Sequence, residues 1–136
     1  MKKTIVLLVS VVVLASGSFA LQPALCGGIR DGAALGLILQ EYLGSGVALR
    51  FGMEGNTGRN PMIAFAGGKF ALSSIGRMPL SLGLGIVGYF GNNDTKAGLA
   101  LSFIFDNAFG RSPMFIEAGI DIVDPAKLQL QLGYKF

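Results

Sequence analysis

The stretch Lys127-Leu-Gln-Leu-Gln-Leu-Gly-Tyr-Lys-Phe136 alternates apolar and polar residues along its whole length. Side chains of a β-strand point alternately to opposite faces, so this pattern predicts a strand with one apolar and one polar face. The apolar face consists of every second residue: Leu128, Leu130, Leu132, Tyr134 and Phe136. Roughly 10 residues are what a tilted strand needs to cross a bilayer. The stretch therefore predicts either a membrane-crossing strand or the last amphipathic strand of a soluble sheet.

The amino terminus has the pattern of a secretory signal peptide. Two lysines precede the apolar run 5–14, and the small residues that follow end in Ser18-Phe19-Ala20. This order predicts cleavage after residue 20, with Gly17 as the other candidate. A retained membrane anchor is the alternative, but the run is short for a span of roughly 20 residues. We expect a signal peptide at 1–20 and one mature domain at 21–136.

Composition excludes several classes of function. The chain has 11 basic and 8 acidic residues; export removes Lys2 and Lys3, so 11 − 2 leaves nine basic residues and a balance of +1. This balance gives no reason to expect a nucleic-acid partner. The chain has one cysteine, so no internal disulfide can form, and it has no histidine. Since His-dependent triads and His metal sites are excluded, we predict no enzyme activity, no catalytic residues, no cofactor and no metal.

Turn residues divide the mature chain into eight alternating segments. Gly, Asn, Asp, Ser and Pro cluster between them, for example at Asp31-Gly32, Ser73–Met78 and Phe109–Ser112. An even number of strands lets both ends of the chain lie on the same side of a membrane. The predicted segments are 22–30, 33–43, 46–55, 61–71, 79–90, 96–106, 113–122 and 127–136. The fold class predicted is therefore all-β, with the strands in an antiparallel up-and-down barrel.

Bulky apolar residues occupy one face of seven of these segments. An eight-stranded barrel is only wide enough for side chains to fill its interior, so seven bulky rows would not fit inside it. A membrane barrel turns such rows toward lipid, whereas a soluble β-sandwich, the alternative, would bury them between two sheets. The rows predicted to face outward are Leu35/Leu37/Leu39, Val47/Leu49/Phe51/Met53, Ile63/Phe65, Leu80/Leu82/Leu84/Ile86, Leu99/Leu101/Phe103/Phe105, Met114/Ile116/Ile120/Ile122 and the terminal five.

The opposite faces carry charged and amide side chains among small residues. In a membrane barrel these side chains point inward, and buried charges must be paired and hydrogen-bonded. We expect Arg30, Asp121 and Gln129 to meet, because the strands that carry them are neighbours in a closed barrel. The interior set is either a packed polar core or a gate along a narrow ion path. Its predicted members are Arg30, Arg50, Glu54, Glu117, Asp121, Gln129 and Gln131.

Aromatic residues cluster near one end of the predicted barrel. An aromatic girdle is typical of the level at which a transmembrane barrel meets the membrane interface. Strands 2, 4, 6 and 8 end at the side predicted to face the periplasm. Their predicted girdle residues are Tyr42, Phe70, Phe103, Phe105, Tyr134 and Phe136.

The strand pattern of the mature chain resembles small eight-stranded bacterial outer-membrane barrels of the OmpA/OmpX kind. The terminal row Leu128–Phe136 resembles the assembly signal that the barrel-insertion machinery reads in such proteins. The resemblance implies a transmembrane β-barrel in the bacterial outer membrane, with outer-membrane lipid and that machinery as partners. It also implies structural, adhesion or stress-related roles and occasional slow pores.

The predicted loops are shorter than those of the barrels that this chain resembles. Long outer loops carry most binding functions in such barrels, so their absence favours a non-enzymatic structural or minor-pore, porin-like role in the cell envelope. The alternative is a secreted or periplasmic soluble β-barrel or β-sandwich that binds a ligand. An outer-membrane enzyme acting on lipids is a third class, which the absence of histidine disfavours.

Overall fold

A computed structural model describes residues 21–91 and 94–136, together with Ile5. The predicted signal peptide, apart from that residue, lies outside the described part of the chain. Eight antiparallel strands form one closed barrel, because β1 pairs with β8 as well as with β2. The all-β barrel of eight antiparallel strands is thereby confirmed, and the two packed sheets of a sandwich do not form. The strands are β1 (Gln22–Arg30), β2 (Ala33–Gly44), β3 (Val47–Asn56), β4 (Met62–Ile75), β5 (Met78–Phe90), β6 (Thr95–Asp106), β7 (Met114–Ile122) and β8 (Lys127–Lys135).

The largest difference from the predicted strands is at Ser73–Met78, which we expected to be a turn. β4 continues to Ile75 and β5 begins at Met78, so only two residues connect them. The register shifts between Ala71 and Ser73, a bulge that lets both serines of this stretch pair with β5. Backbone pairing therefore extends through residues whose side chains favour turns. A single short 3₁₀ helix, Ala108–Gly110, lies between β6 and β7 in the described part of the chain, and no helix there is long and apolar enough to cross a membrane.

The register of the strands fixes their tilt. A row of directly paired inward residues starts at Gln22 on β1 and, followed strand by strand round the barrel, reaches Lys127 on β8. Arg30 pairs with Gln129, and extending this β1–β8 register by two residues places Lys127 opposite residue 32. The row therefore returns to the first strand ten residues beyond its start. With a spacing of about 4.8 Å between strands, this shear of 32 − 22 residues corresponds to a tilt of about 40° and a rise of about 2.5 Å per residue along the barrel axis. The row consists of Gln22, Gln40, Arg50, Gly67, Gly85, Ala100, Asp121 and Lys127.

The outward faces are apolar on nearly every strand. Among the described strand residues, the register places one charged side chain outward, that of Glu41, beside Leu49. The outward row of β5, Leu80 to Phe90, is about 25 Å tall at the rise given above, which equals the apolar band of outer-membrane barrels.

The predicted orientation of β4 is wrong. Residues that pair directly across strands share a face. Ile63 pairs with the inward Glu54, and Phe65 pairs with the inward Gly52. Ile63 is fully buried and Phe65 packs against the interior clusters, so this row points inward and not toward the outside. The outward face of β4 consists instead of smaller residues, Ala64, Ala66 and Gly68, between Met62 and Phe70.

The two ends of the barrel differ. The upper end has the connections that follow β1, β3, β5 and β7, and the lower end has the other connections together with the start of β1 and the end of β8. Five of the six predicted girdle aromatics lie on outward faces at the lower end. Tyr42 does not, because it pairs with the buried Ala48 and its ring centroid lies 5.9 Å from Lys69 Nζ at the mouth of the interior.

Candidate functional site: the charged barrel interior

All seven polar residues predicted for the interior lie inside the barrel. None is more than 5 % exposed, and Asp121 is completely buried. Alternation along each strand explains this placement, since each of the seven shares a face with small or buried neighbours. They form two layers of contacts, and a third layer lies below them. The seven are Arg30, Arg50, Glu54, Glu117, Asp121, Gln129 and Gln131.

The upper layer is centred on Arg30. Its Nε and Nη2 donate to the two carboxylate oxygens of Asp121 at 2.6 and 2.9 Å, and its Nη1 donates to Glu54 Oε1 at 3.0 Å. The Tyr89 hydroxyl also donates to Asp121. Gln131 Nε2 donates to Glu54 Oε2 at 2.9 Å. One guanidinium therefore neutralises part of the charge of two buried carboxylates, and neutral donors complete their hydrogen bonding.

The hydrogen-bond partner of Gln129 differs from the expected one. The expected meeting of Arg30 with Asp121 is formed, but the Gln129 amide donates to Gln131 Oε1 at 2.8 Å. Gln129 and Gln131 share the inward face of β8, two residues apart. The glutamines thus relay hydrogen bonds toward Glu54, and Gln129 is linked to Arg30 through other side chains.

The middle layer is the pair Arg50 and Glu117. Arg50 Nη1 and Nη2 donate to the two Glu117 oxygens at 3.0 and 2.7 Å, a bidentate geometry. Ser102 Oγ donates to Glu117 Oε1 at 2.7 Å. Phe65 lies between this layer and the upper one, with Arg30 Cζ 4.9 Å and Arg50 Cζ 5.8 Å from its ring centroid. Both distances are within the range of cation–π attraction.

The lower layer was not predicted from the sequence. Asp106 Oδ2 accepts from Lys69 Nζ at 2.6 Å, and its Oδ1 accepts from Lys135 Nζ at 2.5 Å. Lys69 lies on the same face of β4 as Ile63 and Phe65, so the wrong orientation of that strand hid it. Alternation along β6 from Ser102 was a usable signal, because it places Asp106 inward.

Apolar clusters and glycines hold these layers apart. Ile63, Val87 and Tyr89 pack near the upper layer, and Ala24, Cys26, Ile38, Ile104 and Phe115 pack near the lower one. Gly52 faces the Phe65 ring and Gly133 faces the Phe115 ring; a Cβ at either position would lie 2.3 or 2.0 Å from a ring carbon. These two glycines are therefore needed for the aromatic rings to fit inside.

Two small cavities lie inside the barrel. One, of about 20 Å³, is bordered by Arg30, Arg50 and Glu117, and the other, of about 10 Å³, by Arg50, Lys69 and Lys135 among others. Cavities of this size hold one or two water molecules. Arg50 borders both, so the Arg50–Glu117 layer separates them. No group of three or more His, Cys, Asp or Glu residues suited to hold a metal occurs in the described part of the chain.

The terminal row lies on the outside of the barrel. Leu128, Leu130, Leu132, Tyr134 and Phe136 are 42–75 % exposed. The strand that carries them pairs on one side with β7 and on the other with β1, so β8 is the closing strand. Gln129 and Gln131 on its other face belong to the interior.

Fold and site together define a class: a small closed β-barrel with an apolar outer wall and an ion-paired interior. Comparisons of the chain with family models, with curated proteins and with solved structures found no match.

Proposed function

We propose that residues 21–136 form a non-enzymatic transmembrane barrel of the bacterial outer membrane with a structural role in the cell envelope. The observation that carries the proposal is the inverted polarity of the barrel. Its described outward strand faces hold a single charge, whereas seven charged residues are buried within it: Arg30, Arg50, Glu54, Lys69, Asp106, Glu117 and Asp121. Soluble monomers rarely expose a contiguous apolar patch larger than a few hundred Å², and here the apolar face continues round the barrel.

The height and ends of the barrel support a membrane location. The apolar wall is about 25 Å tall, as a hydrocarbon-spanning barrel requires. Phe103 and Phe105 face outward near its lower end, where the aromatic residues of an interfacial girdle lie. Glu41 is near this same end, so its charge lies at the level of the polar interface. The wall fits outer-membrane lipid as a partner, and the terminal row resembles the signal read by the insertion machinery during assembly.

The soluble alternative, a ligand-binding barrel, agrees less well with the interior. Ligand sites for small molecules are cavities of about 300–1,000 Å³ lined mostly by apolar side chains. The two cavities here are about 20 and 10 Å³ and are bordered by ion pairs. A ligand would have to displace several buried charge pairs to enter. The short turns of the upper end also offer little surface for binding.

A minor pore is the second candidate function, and the position of Arg50 favours it. Because this side chain borders both cavities, its displacement from Glu117 would join them along the barrel axis. Arg50→Leu should then raise single-channel conductance in planar bilayers, while Glu41→Gln, a change on the outer wall, should not. If a folded Arg50→Leu barrel has the same conductance as the unmodified protein, the pore is contradicted and only the structural role remains.

The experiment that tests the membrane proposal is fractionation followed by gel electrophoresis with and without boiling. We expect the protein in the outer-membrane fraction, extracted only by detergent, with an unboiled band that migrates faster than the boiled one. Recovery in the soluble periplasmic fraction without detergent, with no heat-dependent shift, would contradict the proposal and favour the ligand-binding barrel.

A further inference from the structure

The lower half of the interior carries an excess of positive charge. Its inward charged side chains are Arg50, Lys69 and Lys135 against Glu117 and Asp106, three positive charges against two negative ones. Both carboxylates already accept from two donors each or more. One positive charge in this half therefore has no counter-charge among the inward side chains that the structure describes.

The same region contains buried N–H donors with no acceptor. Gln40 Nε2 and Arg50 Nε have no hydrogen-bond partner among the described residues, and both residues are at most 6 % exposed. They are neighbours, because Gln40 pairs directly with Arg50 between β2 and β3. A buried donor without an acceptor is destabilising, so two adjacent ones need an explanation.

A small chamber joins these groups. The lower cavity, about 10 Å³, is bordered by Gln40, Arg50, Lys69 and Lys135 and by the apolar side chains of Ile38 and Phe115. The centre of a water-sized sphere can move within this volume, so the chamber has room for a single small guest. Its polar lining offers ammonium, guanidinium and amide N–H groups. Its apolar lining lowers the local dielectric constant, which strengthens attraction between charges.

We propose that this chamber, between β2, β3, β4 and β8 at the lower end of the interior, binds one small monovalent anion of halide size. The anion accepts hydrogen bonds from the Gln40 amide and from Arg50, and it balances the positive charge that Lys69 and Lys135 leave after sharing Asp106. Above it, the positive charge of Arg30 is already exceeded, because the upper layer holds two carboxylates to that one guanidinium.

The test is the anion dependence of unfolding. The barrel, refolded in a zwitterionic detergent, is unfolded with urea at constant ionic strength while sodium gluconate is replaced by sodium chloride or bromide. Because a ligand bound only by the folded state shifts the equilibrium by mass action, each tenfold rise in halide above its dissociation constant should raise the folded-to-unfolded ratio tenfold. Gluconate is too large for the chamber and should give no such effect.

Two variants locate the effect. Gln40→Glu places a negative charge in the chamber and should abolish the halide dependence, whereas Lys96→Met removes a charge at the opposite end and should leave it unchanged. If Gln40→Glu does not fold, line broadening of the chloride NMR signal by the folded, unmodified protein, reversed by bromide, gives an independent measurement. A bromide anomalous peak between Gln40 and the two lysines in a crystal would place the ion directly.

Two results would overturn the proposal. Equal stability in gluconate, chloride and bromide would mean that the chamber holds only water. A halide dependence that persists in a folded Gln40→Glu barrel would mean that the ion binds elsewhere. Both readouts use folded protein in detergent, so they are independent of whether the barrel resides in the outer membrane.

Discussion

Arg30 is the residue whose loss should destabilise the barrel most. The residue is 1 % exposed, and its guanidinium forms hydrogen bonds with both Asp121 and Glu54. Arg30→Met keeps much of the side-chain volume but leaves two carboxylates without a cation in the upper layer. Breaking one buried pair in this way costs about 3–5 kcal/mol, because the remaining ion is uncompensated. With two ions affected, we expect a loss of about 5 kcal/mol or more in the free energy of unfolding.

A second substitution should recover part of this loss. Asp121→Asn in the Arg30→Met protein removes one of the uncompensated charges while keeping the shape of the side chain. The two changes should therefore be strongly non-additive, with a coupling energy of about 2 kcal/mol or more. The chain has no tryptophan and three tyrosines, so folding is followed by tyrosine fluorescence and by the heat-dependent gel shift across a urea series.

The matched control is an exposed ion pair at the upper end. Lys96 Nζ lies 3.8 Å from Asp94 Oδ2, and the two side chains are 28 and 59 % exposed. Such a pair contributes about 0–1 kcal/mol, so Lys96→Met should have little effect. The reasoning about buried charge is refuted if Arg30→Met costs no more than Lys96→Met, or if the Arg30 and Asp121 substitutions are simply additive.

Three further predictions concern the packing, the lower layer and assembly. Gly133→Ala places a Cβ against the Phe115 ring and should cost about 1–3 kcal/mol in urea unfolding, whereas Gly27→Ala, whose Cβ meets only ordinary contacts, should cost much less. Asp106→Asn leaves two lysines without a carboxylate and should lower the free energy of unfolding by about 2–4 kcal/mol. If the decrease is no larger than that for Gly27→Ala, the ion pairs of the lower layer do not stabilise the barrel. Removal of Phe136, which is 68 % exposed, should slow insertion into membranes in cells while leaving the urea midpoint of refolded protein nearly unchanged; normal insertion would contradict its role in assembly.

Alternation and turn chemistry were sufficient to predict the strands. β1 has the predicted bounds, and six other strands differ from the prediction by at most one residue at either end. β4 differs by more, because its bulge and extended hairpin involve Ser73 and Ser74. Serine side chains favour turns locally, but pairing with β5 supplies their backbone hydrogen bonds. This outcome depends on a neighbouring strand, which single-segment patterns do not contain.

The faces were predictable only where one face was clearly more apolar. β4 has Ile63 and Phe65 on one face and Ala64 and Ala66 on the other, so both are apolar. Lys69 was the residue that indicated the inward face of β4. It lies on the same face as Ile63 and Phe65, and that face points inward toward Asp106. Partner choice across the barrel also could not be predicted, because it depends on the shear of ten residues, which is a property of all eight strands together.

The central claim is that the outer wall contacts lipid and the charged face does not. The direct measurement is spin-label scanning of β8 in a Cys26→Ala barrel reconstituted in lipid vesicles, one nitroxide at a time from position 128 to 132. We expect labels at Leu128, Leu130 and Leu132 to be accessible to oxygen dissolved in the bilayer and protected from a water-soluble nickel complex, with labels at the two glutamine positions protected from both. Outward labels that collide with nickel as readily as a free surface label would contradict the account.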